Sequence, residues 1–136
     1  MNSLETAKKA LEDTGSTCAV LSDTLHLYTD RGILPLFSAL DDGFLKDAYV
    51  ADKVIGKSAA MLLCKGGIRA LYAKVISRPA CALLDAQGIP YTFSTVCDYI
   101  INRRGDGMCP MEAAVLEVTD VDAGVAALRE KLKQMQ

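Results

Sequence analysis

The stretch IRALYAKVISRPACALLDAQGIPYTFSTV, residues 68–96, decides the fold class. Residues 68–76 are apolar and β-branched, broken only by Arg69 and Lys74, which is the composition of a strand. Pro79 suits the first turn of a helix running to about Gln87, and Gly88 supplies its left-handed stop. Residues 90–96, rich in Tyr, Thr, Phe and Val, read as a second strand. A strand, a helix and a strand in such short order imply a crossover connection, and so a partly parallel sheet covered by helices.

Working outward, residues 53–64 are helix-forming, with Asp52 at the N-cap position and Gly66-Gly67 as the stop. Beyond Ser58 the apolar residues cover nearly the whole circumference of that helix, which suggests burial against a sheet. Further upstream, Asp30-Arg31-Gly32 is a turn, and residues 33–40 read as a short helix closed by Asp41-Asp42-Gly43. Ser3 is placed to cap a first helix with Leu4, Ala7, Ala10 and Leu11 on one face, ending near Gly15. Residues 17–21 and 24–28 form a hairpin around Ser22-Asp23. Downstream, residues 102–107 are a polar, glycine-punctuated loop, and Pro110 opens a helix to about residue 116. A final amphipathic helix at 122–133 places Val125, Leu128 and Leu132 together. The expected architecture is one α/β domain over residues 1–136, a three-layer α/β/α sandwich with a mixed sheet that begins with a hairpin.

Bulk properties narrow the function. A length of 136 residues suits one domain, and 51% apolar with 24% charged residues is a globular composition. A formal charge of −2 argues against a protein that coats nucleic acid. No apolar run approaches the roughly 20 residues of a membrane helix. The first 13 residues are polar and amphipathic, without the apolar core of a signal peptide. Five cysteines at wide spacing, with no Cys-x-x-Cys, suggest free thiols in a reducing compartment rather than a disulfide or zinc framework. These features together point to a soluble, cytoplasmic protein.

In a sheet of this kind, sites gather beyond the carboxyl ends of the strands, where helix N-termini point inward. Three helix starts carry the candidate residues. The first has Asp52, Lys53, Lys57 and Ser58, and the second has Ser77, Arg78 and Pro79. The third has Asn102, Arg103, the glycine loop, Cys109 and Glu112. Converging helix starts with Lys and Arg nearby would seat a phosphate or carboxylate. The plainer alternative is that Lys53, Lys57 and Arg78 are solvated surface charges. Cys109 has two readings. It is a weak cap with Glu112 reaching back to it, or a thiol activated by the helix start and by Arg103 or Arg104. His26, the sole histidine, reads as a surface or packing residue on the hairpin. Gly56-Lys57-Ser58 is not a P-loop ending, because Ala51 stands where the loop's first glycine belongs.

The order of elements resembles the cytidine-deaminase-like fold and, within it, a small bacterial family of unknown function. The stretches that carry the resemblance run from Ala51 through Asp52, Lys53, Val54, Ile55, Gly56, Lys57 and Ser58 to Ala60. The other such stretch runs from Ile101 and Asn102 through Cys109, Pro110 and Met111 to Glu112. Deaminases hold zinc with a His-x-Glu start and a Pro-Cys-x-x-Cys start. Here those positions read Gly56-Lys57-Ser58 and Pro79-Ala80-Cys81-Ala82-Leu83-Leu84, too few ligands for the metal. No metal, no cofactor and no zinc-dependent deamination are expected. The resemblance implies a deaminase-like cleft that takes a small anionic ligand, such as a nucleotide or phosphorylated metabolite. It also implies edge strands suited to a homo-oligomer. The alternatives are a thiol enzyme with Cys109 as nucleophile and Asp52, Lys57 or Glu112 as proton carrier, or a purely structural module.

Overall fold

Short runs rich in Val, Ile and Ala build one mixed sheet from β1 (Cys18–Leu21), β2 (Leu25–Tyr28), β3 (Tyr49–Ile55), β4 (Ala70–Ser77) and β5 (Tyr91–Cys97). The computed structural model describes residues 2–102 and 104–135. Strand order is β2-β1-β3-β4-β5, antiparallel from β2 through β1 to β3 and parallel from β3 through β4 to β5. Six helices accompany the sheet among the described residues: α1 (Ser3–Thr14), α2 (Leu34–Asp41), α3 (Lys57–Gly66), α4 (Arg78–Gln87), α5 (Pro110–Val115) and α6 (Val121–Gln134). No helix among these residues is long and apolar enough to cross a membrane.

The two faces of the sheet are covered unequally. On one side α1 alone lies over the centre, packing Ala7 and Leu11 against Ala19, Ala51 and Tyr72. On the other side Val20, Val50, Ile55, Leu71 and Ile76 meet the remaining helices in the main core. Within that layer α3 is buried from Ser58 to Leu63, as its all-round apolar sequence predicts. A Cβ on Gly124 would overlap the Met61 sulfur, so α6 crosses α3 at the one position where α6 carries no side chain.

Three local expectations need correction. The first helix is capped by Asn2, whose side chain accepts the Glu5 N–H at 2.8 Å; Ser3 is already helical. The helix expected over 53–64 begins only at Lys57, so Asp52 and Lys53 are not a helix start. They belong to β3, a central strand that the sequence reading did not predict. Asp52 interrupts its apolar alternation and imitates a cap, whereas Val50, Val54 and Ile55 supply the β propensity that prevails. The turn into α3 is made by Gly56 in extended conformation. The last helix is capped by Asp120, one residue before its first turn at Val121.

Candidate functional site

Because β3, β4 and β5 run parallel, α3 and α4 both start at the same end of the sheet. The starts of α3 and α5 come together there, and one side chain joins them. Glu112, in the first turn of α5, accepts the Lys57 N–H on Oε1 at 2.7 Å and the Ser58 N–H on Oε2 at 2.8 Å. A bidentate carboxylate at a helix start satisfies two orphan donors and favours the positive end of the helix dipole. A Cβ on Gly56 would collide with this carboxylate, so the approach depends on glycine at that position. The open anion seat expected at the α3 start is therefore filled by the protein's own carboxylate. Glu112 does not reach back to Cys109 either. Cys109 is the N-cap residue of α5 by backbone position and makes no side-chain cap bond.

Beside this junction lies a cavity of about 510 Å³, with Asp52, Lys53, Val54, Gly56, Ser58, Cys109 and Glu112 on its wall. Thr17, Thr29, Arg31, Gly32, Ile33, Ala59 and Ile100 complete the lining. The Thr17 hydroxyl bonds the carbonyls of Tyr28 and Asp30, at 3.1 and 2.6 Å, and so ties the segment before α2 to the sheet. On the far side the Cys109 N–H donates to the Ile100 carbonyl at 3.1 Å and fixes the start of α5 beside the cavity.

Asp52 is only 6% exposed. Its Oδ1 accepts the Val54 N–H at 3.0 Å, and Cys18 is its cross-strand neighbour. Burial dominates over this bond and pushes its carboxyl up to about 7. Burial and the nearby Asp52 charge together push the Cys18 thiol up as well. Ser58, 3% exposed, lines the same cavity, and its backbone N–H is the second donor to Glu112.

The other sequence candidates are placed elsewhere. Lys57 turns outward and donates from Nζ to the Leu116 carbonyl at 2.9 Å, at the end of α5. Arg78 pairs with Asp98 at 2.9 Å on the exposed surface, and Ser77 caps α4. Asn102 closes its own loop, bonding Asp106 through its side chain and Gly107 through its N–H. Arg103 lies outside the described residues. His26 stacks on Phe44 with ring centroids 3.8 Å apart and is absent from the cavity wall. Sequence reasoning overlooked Thr17, Thr29 and Arg31 as cavity residues and Cys18 as the partner of Asp52. The one available signal was the Asp30-Arg31-Gly32 turn, which marks a loop but not its destination.

A family model described as "TM1506: Domain of unknown function (DUF1893)" matches residues 6–132. Among solved structures, the chain is similar to the crystal structure of a DUF1893 family protein (TM1506) from Thermotoga maritima. The TM-score is 0.89 at 28% identity, over 96% of this chain and 90% of that one. No curated protein matches.

Proposed function

Starting from a chain that belongs to the DUF1893 family, a domain of unknown function, we propose that it binds a small polar metabolite in the cavity beside Asp52. The observation that carries this reading is a pair of almost wholly buried polar side chains on the cavity wall. One is Asp52, which has no ion-pair partner among the described residues, and the other is Ser58. The volume suits a small ligand, since pockets of this kind span roughly 300–1,000 Å³. A buried carboxylate at the wall selects an N–H donor, such as an amine, an amidine or the amino edge of a heterocycle. Arg31 and Lys53 take the anionic end of the ligand, so a nucleotide or phosphorylated amine remains the ligand class. The anion is moved away from the α3 start, which Glu112 fills. The cytidine-deaminase-like assignment belongs to the same proposal, supported by the mixed sheet and by helix starts beside the cavity. Free thiols support a cytoplasmic setting.

Thermal-shift measurements with amines, guanidino compounds, cytosine and adenine, each with and without phosphate, test the reading. At least one compound raises the wild-type melting temperature. The rise is lost in Asp52→Asn, kept in Lys57→Ala, and grows from pH 6 to pH 8 as Asp52 becomes charged. No shift with any compound, or an equal shift in Asp52→Asn, overturns the proposal.

A thiol-dependent enzyme is the second reading, favoured by Cys109 on the same wall with its side chain free of a cap bond. Asp52 is then the base, since Glu112 is engaged by α3. Iodoacetamide labelling of Cys109 that is no faster than that of free cysteine at neutral pH removes this reading.

A further inference from the structure

The strand β5 is an edge without the usual protection. Among the described residues it pairs with β4 on one side only, and four consecutive residues, Thr92 to Thr95, are exposed, so both faces of the strand meet solvent at its middle. Phe93 stands 45% exposed among them. Natural edges are blunted by lysine, proline, a bulge or short length. Tyr91–Cys97 has none of these: it is seven residues long, uncharged, and made of strong strand formers. The opposite edge, β2, is only four residues long.

We propose that β5 pairs antiparallel with β5 of a second copy of this chain about a two-fold axis at Ser94, joining two sheets into one of ten strands. Self-pairing sets a strict electrostatic condition, because an axial residue faces its own mate and near-axial charges repeat on both sides. The uncharged strand meets it, and a formal charge of −2 per chain adds little repulsion. The register is also specified. With Ser94 on the axis, Phe93 faces the partner's Thr95, Thr92 faces the partner's Val96, and Tyr91 faces the partner's Cys97. Each aromatic ring thus meets a small or β-branched residue, which is a favourable cross-strand combination. Shifting the axis to Phe93 or Thr95 loses these pairings and sets Phe93 against its own mate or against Cys97.

A seam of seven residues a side falls short of the roughly 1,600 Å² of a standard interface, so the dimer belongs in the micromolar range. Sedimentation equilibrium of the full chain from about 1 to 300 µM tests it, with melting temperature as the check on folding. Wild type runs from monomer to dimer across that range, whereas Ser94→Lys and Ser94→Glu each stay monomeric. An equimolar mixture of the two dimerises again. Tyr72→Phe, which removes the 2.6 Å hydroxyl pair with Ser94 but leaves the edge intact, dimerises like wild type. A wild type that is monomeric throughout, a Ser94→Lys variant that still dimerises, or a mixture that stays monomeric each overturns the proposal.

Discussion

Glu112 and Asp52 are both carboxylates buried against one cavity, and they are employed in opposite ways. Glu112 has each oxygen engaged by a backbone N–H of α3, so its charge is consumed in holding two helix starts together. Asp52 accepts the Val54 N–H, too little to offset its burial, and its carboxyl is pushed up to about 7. The comparison separates two meanings of a buried acid. One that is fully hydrogen-bonded is a piece of architecture. One that is buried and only partly satisfied beside an open volume is a group kept for something else.

The largest effect expected from breaking this comparison is at the architectural end. Glu112→Ala leaves two α3 donors unsatisfied and costs about 3–5 kcal/mol in chemical denaturation. Gly56→Ala forces the same carboxylate out and costs a similar amount. In the Glu112→Ala background the Gly56→Ala change costs much less, because the atom it collides with is gone. Additive losses in this double-mutant cycle would show that the clash and the bidentate cap are unrelated.

Next comes the titrating end. In the unfolded chain Asp52 titrates near 4, and in the folded protein near 7. Between these values the folded state holds a proton that the unfolded state has lost, so this group lowers stability as pH rises from about 4 to 7. The accumulated loss is on the order of a few kcal/mol above pH 7. Asp52→Asn cannot take up this penalty. Its melting temperature relative to wild type climbs through that window and levels off above it. A wild-type-minus-variant difference that stays flat from pH 4 to 8 contradicts the assignment.

The smallest effects belong to the cations that the sequence placed in the site. Lys57→Ala loses one exposed bond to Leu116 and costs less than about 1 kcal/mol. Arg78→Ala loses an ion pair whose partners are both mostly exposed and costs under about 0.5 kcal/mol. Neither alters the ligand-induced shift. A lost shift in Lys57→Ala would return the anion to the α3 start and reverse the roles of the two carboxylates.

Most of the architecture was legible because its signals are local. The β4–α4–β5 unit announces itself through Pro79, Gly88 and two β-branched runs, and α3 through its continuous apolar surface. The strand β3 was not legible, because an aspartate that titrates in a cavity looks, in sequence, like an aspartate that caps a helix. That one ambiguity carried the site with it. Cys109, Glu112, Ser58 and Asp52, which the sequence places at one end of the sheet, all line the cavity. The partnerships of Glu112 with the α3 amides, 54 and 55 residues away, and of Cys18 with Asp52 depend on tertiary contacts that no spacing rule encodes. Lys57 and Arg78 were drawn into the site by charge alone, whereas exposed side chains settle on whatever carbonyl or carboxylate lies nearest.

Carbon-13 detection of the side-chain carboxyl of Asp52 across pH 4 to 9, assigned by its loss in Asp52→Asn, reads the group on which the proposed binding site depends. The predicted result is a single midpoint near 7, moved downward when a donor-bearing ligand fills the cavity and holds the carboxylate charged. A midpoint in the ordinary range of an exposed aspartate, unchanged by ligand, would mean that Asp52 is not buried beside the cavity and that no binding site rests on it.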